Sequence, residues 1–247
     1  MTQAERLFLE TYDKSQFESP LATVDTVIFT VFDDVLKVLL VKRAEHPEKG
    51  KWALPGGFID LLADETIEDT AFRKLKEKTG VSSPYLEQVE TVGNAHRDKR
   101  GWALTILYFA LINHSALAPK ASAVEDAQWL PVTKAVQLSL AFDHANLLAS
   151  ATNRLRSKTR YSALPLQLMD RDFTLSELQR MFETVLGSTL EKKSFRRRIL
   201  SAGLLEETGE MKPTERRPAA LYRRKERARG DFEFPGNLFT HPAKIGE

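Results

Sequence analysis

Residues 192–198 read Lys-Lys-Ser-Phe-Arg-Arg-Arg, five cations around one serine and one phenylalanine. Ammonium and guanidinium groups at that density suit a polyanion: they displace counterions from phosphates, and Ser and Arg can also read base edges. At about 100° per residue, positions 190–202 put Phe195, Ile199 and Ala202 on one side. Lys193, Ser194, Arg197 and Ser201 fall on the other, flanked by Arg196 and Arg198. A helix anchored by one face and polar on the opposite face fits a major groove. The candidate DNA contacts are therefore Lys192, Lys193, Ser194, Arg196, Arg197 and Arg198, joined by Arg216 and Arg217 ahead of Pro218. Arg223-Arg224-Lys225 are expected beside the DNA backbone as well. A second group lies at Arg73-Lys74 and Glu77-Lys78. Spacings of three and four place 74, 77 and 78 on one helical face, where two ammonium groups surround one carboxylate. Such a face repels a hard divalent cation, which wants carboxylate oxygens.

The elements that carry these groups follow from periodicity. Thr23 to Phe32, TVDTVIFTVF, and Val35 to Val41 are rich in β-branched and aromatic residues and form two strands about Asp33-Asp34. A polar loop, 44–51, leads to Trp52-Ala53-Leu54-Pro55-Gly56-Gly57-Phe58. Asp64 to Thr79 reads as a helix with Ile67, Ala71, Phe72 and Leu75 at helical spacing, an acidic start and Gly80 as its stop. Further strands are expected at 86–95, 102–112 and 125–130, clustered around that helix. After about residue 132 the pattern is helical. Phe142 to Arg156 carries an apolar stripe of Leu147, Leu148, Ala151 and Leu155 and links two modules. Thr174 with Glu177 forms a capping box for a helix ending at Gly187. A Gly187-Ser188-Thr189 turn leads into the basic helix, followed by a two-stranded segment at 204–208 and 219–225. Helix, tight turn, basic helix and basic wing in series make a winged helix-turn-helix and outweigh the ordinary reading of one basic helix as a solvated face. The expected fold class is α+β: an N-terminal mixed-sheet α/β/α domain over 1–150 and a C-terminal winged helix-turn-helix over 151–247.

Composition agrees with two modules. The 247 residues carry 36 Lys+Arg and 34 Asp+Glu, a net charge of +2. Counted to Ser150, the chain has 16 basic and 21 acidic residues; beyond it, 20 and 13. The halves carry −5 and +7, which assigns the polyanion partner to the second. The absence of cysteine excludes disulfides, a catalytic thiol and a zinc finger. The first residues lack the apolar core of a signal peptide, and no apolar run approaches the roughly 18 residues of a membrane span. A cytoplasmic protein without membrane partners is expected.

Gly57, Glu65, Arg73, Leu75, Glu77, Gly80 and Val81 trace the outline of a Nudix box, and Leu54-Pro55-Gly56-Gly57 and Trp129-Leu130-Pro131 also resemble that family. The resemblance spans roughly residues 20–135 and implies a mixed sheet between helices that binds nucleoside diphosphate derivatives. Two of the family's metal-holding glutamates are replaced by Lys74 and Lys78, so +1 stands where the family has −3. Seven residues, not five, separate Gly57 from Glu65. Against the family pattern, Glu65 and Arg73 are expected to pair structurally, no residue is assigned as catalytic, and no Mg²⁺ or other cofactor is expected. The segment Gly93-Asn94-Ala95-His96-Arg97-Asp98-Lys99-Arg100-Gly101-Trp102 resembles that of Nudix proteins handling ADP-ribose, with Lys99 in place of a proline. The resemblance implies a ligand site of Gly57, Phe58, Glu77, Arg97, Asp98, Arg100 and Trp102. Forked arginines would hold the diphosphate and Phe58 or Trp102 would stack on adenine. Lys74 and Lys78 could help to neutralise the diphosphate.

Together with Phe173-Thr174-Leu175, Ser194-Phe195-Arg196-Arg197 and Arg217-Pro218-Ala219, the chain resembles Nudix-related transcriptional regulators of bacterial NAD metabolism over residues 10–228. The resemblance implies a homodimeric repressor of NAD biosynthesis or salvage genes, bound to palindromic double-stranded operator DNA and released by ADP-ribose or a related NAD metabolite. The stretch 136–160 is the expected transmitter between modules. The competing reading is a Mg²⁺-dependent ADP-ribose pyrophosphatase with an accessory domain for dimerisation or nucleic acid; a third is a protein-binding adaptor.

Overall fold

Strand β1 (Leu21–Phe32) is twelve residues of mostly apolar, β-branched chain with both faces buried through its middle, and the N-terminal module is assembled on it. The computed structural model describes residues 1–81, 85–116, 127–214, 217–225 and 234. A helix α1 (Gln3–Thr11), capped by Thr2 and Glu5, precedes β1 with no buried residue. Asp33 and Asp34, with φ of 53° and 55°, form the two-residue turn into β2 (Val35–Lys42), because positive φ at both central positions matches the twist of a hairpin. Along its other edge β1 pairs with β6 (Ala103–Leu111), in parallel register from Leu21↔Ala103 to Phe29↔Leu111. Strands β3 (Trp52–Ala53) and β4 (Gly56–Phe58) pair with β2 and β1. Strands β5 (Tyr85–Asn94) and β7 (Ala127–Pro131) complete a seven-stranded mixed sheet.

Helices cover both faces. On one, Ala71 and Leu75 of α2 (Ile67–Thr79) meet Val24, Ile28, Leu39, Ile106, Tyr108 and Ala110. On the other, Leu147, Leu148, Ala151 and Leu155 of α4 (His144–Thr159), which follows the single turn α3 (Val132–Ala135), meet Val27, Phe29, Val38, Leu40, Leu107 and Phe109. The strands thus enclose no single helix; they lie between two. Position 150 falls inside α4, whose stripe lies on the sheet.

Two boundaries move for local reasons. Helix α2 begins at Ile67 and not at Asp64, because Thr66 and Asp69 form a reciprocal capping box that leaves Asp64 and Glu65 in the preceding loop. Helix α4 begins at His144, since Phe142 takes a φ of 52°.

The C-terminal module is a winged helix. A short 3-10 turn (Leu164–Leu168) leads to β8 (Asp172–Thr174) and α5 (Leu175–Leu186), which starts at the Thr174–Glu177 box and ends at Gly187 with φ 71°. The basic helix α6 (Lys192–Ser201) follows, and the wing is β9 (Leu205–Lys212) and β10 (Ala219–Arg224), with β10 between β8 and β9. Phe173, Leu178, Phe182, Phe195 and Ile199 form its core, with Phe182 and Phe195 edge to face at 5.3 Å. No helix among the described residues is long and apolar enough to cross a membrane. Phe182→Ala should destabilise this module by about 3–5 kcal/mol, enough to open it before the sheet domain melts. A biphasic thermal transition in the variant, monitored by circular dichroism, checks this.

Candidate functional site

A cavity of about 200 Å³ opens at the end of the sheet where β1, β4 and the 94–102 loop meet. It is lined by Gly56, Gly57, Phe58, Arg97, Asp98 and Arg100, and also by Asp25, Arg43, Phe142 and His144. Arg97 and Phe142 continue into a second hollow of about 250 Å³ with Lys51, His96, Lys99 and Asp143. Gly56 is required where it stands: it faces Asp25 in register, and a Cβ there would collide with the Asp25 carboxylate and lie 2.6 Å from the Val24 carbonyl.

The charged groups are ordered. Arg97 is buried, because the Asn94 side chain accepts its backbone N–H and folds the loop inward. Its Nε and Nη2 donate to Asp143 Oδ2 and Oδ1 at 3.1 and 3.0 Å, and Nη2 stands 3.6 Å from Asp25. Asp98 accepts from Arg100 at 2.7 Å, and that guanidinium holds its carboxyl below the usual range. The Arg100 guanidinium sits 5.2 Å above the Phe58 ring, and Arg43 lies 4.7 Å over Phe142. The His144 Nδ1 accepts the Leu54 amide N–H at 2.9 Å, and burial pushes the pKa of its imidazole down against the opposing pull of Asp25. The imidazole is thus neutral with its proton on Nε2, 3.9 Å from Asp25. Guanidinium groups, glycine backbone and an aromatic face together suit a phosphorylated, heteroaromatic ligand.

Of the residues named from sequence, Gly57, Phe58, Arg97, Asp98 and Arg100 converge on the cavity; Glu77 and Trp102 do not line it. Trp102 is half exposed with its ring against Gly93. Glu77 lies on the far turn of α2, bonded to Lys74 at 3.1 Å and Arg73 at 3.4 Å. The Lys74 chain runs along Gly57, close to where a Cβ would sit. Asp25, Arg43, Asp143 and His144 were missed. Asp25 alone carries a signal, as a single carboxylate in an apolar strand.

The pairing expected between Glu65 and Arg73 is made instead by Asp64. Arg73 Nε and Nη2 donate to its two oxygens at 2.8 and 2.5 Å, and Glu65 is exposed. The longer loop shifts the carboxylate that meets Arg73 by one position. Where the family pattern has three carboxylates for Mg²⁺ there is one, neutralised by two cations, so these residues do not fit the ion. Among the described residues no three His, Asp or Glu side chains are grouped to hold a metal.

In the winged helix, the expected face is presented. Phe195 and Ile199 are buried, Lys192, Lys193 and Arg197 are exposed, and Ser194, Arg196 and Arg198 are partly buried. Glu191 caps α6 by accepting from the Lys193 and Ser194 amides, which hold its carboxyl below the usual range. A groove of about 720 Å³ runs between α5, α6 and the wing, lined by Ser176, Lys192, Arg196, Thr214 and Arg217, with no carboxylate among the described residues that line it. Arg216 lies outside the described residues. Arg223 and Arg224, expected beside DNA, are tied into the module. Central β10 sets Arg223 opposite Asp172, where it forks at 2.6 and 2.9 Å, and Arg224 donates to Gln167.

Asp64 gives a pH prediction. The Arg73 guanidinium holds its carboxyl far below 3.8, so its contribution to stability is complete above about pH 4 and is lost as pH falls toward the folded-state value. Asp64→Asn should lower the melting temperature at pH 7 and flatten its acid limb below pH 4, as read by thermal denaturation from pH 2 to 7.

Residues 22–151 match the NUDIX domain family, and residues 165–224 match the NrtR DNA-binding winged helix domain. The "ADPR responsive transcriptional repressor NtrR" of Acinetobacter baylyi is 52% identical over 220 residues, covering 89% of this chain and 88% of that protein. The crystal structure of Shewanella oneidensis NrtR complexed with a 27mer DNA superposes with a TM-score of 0.84 at 46% identity, covering 89% of this chain and all of that one. The NUDIX domain of that protein, complexed with ADP ribose, matches at 50% identity with a TM-score of 0.56, covering 63% of this chain and 99% of that one.

Proposed function

The chain belongs to the NrtR family, a Nudix domain joined to a DNA-binding winged helix, and from that premise we propose that it is an ADP-ribose-responsive transcriptional repressor of NAD biosynthesis or salvage genes. The observation that carries the reading is the pairing of an arginine-lined pocket with a cationic helix and groove on the second module. Gly57, Phe58, Arg97, Asp98 and Arg100, with Arg43, hold ADP-ribose: glycine backbone allows close approach, guanidinium groups meet the diphosphate and Phe58 offers a stacking face. Lys74 and Lys78 stand where Mg²⁺ would need carboxylates, so the module binds the nucleotide without hydrolysing it. Rapid Mg²⁺-dependent turnover of ADP-ribose by the purified chain would overturn that part.

On DNA, exposed Lys193 and Arg197 with Ser194 face the bases, and Lys192, Arg196 and Arg217 meet phosphates. A dimer binds a palindrome, because one winged helix reads a short half-site. Bound ADP-ribose favours an arrangement in which the two reading helices no longer match the half-site spacing. Duplexes selected from random DNA by the full chain should contain a palindrome and be released by ADP-ribose. Unchanged affinity up to millimolar ligand would exclude this function. Arg197→Ala should cost about 1–3 kcal/mol on the selected site and relax its sequence preference. Arg217→Ala should weaken all duplexes alike and reduce the log-log salt slope by about 0.9. Titrations of selected and scrambled duplexes at several salt concentrations separate the two roles.

A further inference from the structure

Asp143 occupies the N-cap position of α4, where an aspartate ordinarily accepts a backbone N–H from the first helical turn. Here its side chain caps nothing. Both carboxylate oxygens are instead engaged by the buried Arg97 guanidinium in the pocket wall. The first turn of α4 holds no acidic residue, so the positive end of the helix has no carboxylate from its own turn. Phe142, just before, is kept in the left-handed region with its ring under Arg43 and 5.4 Å from that of His144. The entry to α4 is thus held by pocket residues rather than by its own local preferences.

Charge shows what a ligand would disturb. Across the cavity and the adjoining hollow, Asp25, Glu45, Glu48, Asp98 and Asp143 face Arg43, Lys51, Arg97, Lys99 and Arg100, an even balance. A diphosphate adds negative charge and is accommodated best if one carboxylate leaves. Asp143 has a second place to go, the backbone N–H of Ala145 at the start of its own helix, between those of His144 and Asn146, which donate to the Ala141 and Asp143 carbonyls.

We propose that Arg97 is the switch contact: a diphosphate ligand takes its guanidinium from Asp143, and the freed carboxylate turns back to cap α4. This rests on the reading of the pocket as an ADP-ribose site. The change is placed to reach DNA through packed contacts. Leu147, Leu148, Ala151 and Leu155 of α4 share one cluster with Val185 of α5, and Arg156 Nε donates to the Val185 carbonyl at 3.4 Å. Helix α5 in turn holds α6 through Phe182 and Phe195. Both ends of α4 therefore belong to the coupling path, the first turn at the pocket and the later turns at the winged helix.

The test is Asp143→Asn in the full chain. Asparagine caps a helix as well as aspartate but brings no charge to Arg97. The variant should bind ADP-ribose about tenfold more tightly. Without ligand, its affinity for the selected duplex should already have moved toward that of ligand-bound wild type, leaving a smaller response. Wild-type affinities with a full response, or weaker ADP-ribose binding, would overturn the exchange. A second measurement needs no variant: in wild type, amide hydrogen exchange at Ala145 should slow on adding ADP-ribose, and unchanged exchange there would equally overturn it. If wild type binds ADP-ribose yet keeps its duplex, the functional reading fails first, and the exchange measurement still decides whether Asp143 moves.

Discussion

Burial of the α4 stripe against the sheet is the contact on which the rest of the arrangement depends. Leu147, Leu148, Ala151 and Leu155 close one face of β1, β2 and β6, and the same cluster takes in Val185 from the winged helix and Leu164 and Leu168 from the connection. A helix whose removal would expose the core of one module and the docking surface of the other cannot shift without moving both. The DNA-reading module is therefore seated on the sheet domain and not hung from a free linker. Polar contacts at the edge of that seat, Arg180 to Asp34 and Ser115 to Asp170, add direction more than energy, since exposed ion pairs are worth little.

Much of this was legible from the chain. The long strands follow from β-branched runs, and the capping box at Thr174 and Glu177 marks α5 within a residue. Phe195 and Ile199 come out buried beneath a basic face, as helical spacing requires. What was not legible is tertiary. Leu54 and His144 meet across 90 residues, and no local pattern announces that a histidine will accept the amide of the link between β3 and β4. Asp64 takes the place expected for Glu65 because a lengthened loop changes which carboxylate reaches Arg73, and a spaced motif cannot report that. The three-residue β8 exists only because β10 pairs with it some fifty residues later. Arg223 and Glu77 teach a related lesson: a charge can be read from sequence, but whether it is spent on a neighbour depends on register.

The near-neutral total of +2 conceals both sites. In the sheet domain cations and carboxylates are interleaved and mutually bonded around the pocket, so a ligand must compete with existing partners. In the winged helix the described residues of the groove include Lys192, Arg196 and Arg217 and no carboxylate, so a phosphate there meets cations that are not matched by acids among them. These are different electrostatic tasks. The first favours a small anion that can rearrange a network, which is what a sensor needs; the second favours a large polyanion bound with strong salt dependence.

Linkage joins the two sites, and it is reciprocal: whatever factor ADP-ribose takes from DNA affinity, DNA must take from ADP-ribose affinity. Calorimetric titration of ADP-ribose into the free chain and into the chain saturated with its selected duplex measures this directly. The account predicts weaker ADP-ribose binding to the DNA complex, by the same factor that ligand weakens the duplex. Equal ADP-ribose affinity in both titrations would contradict it.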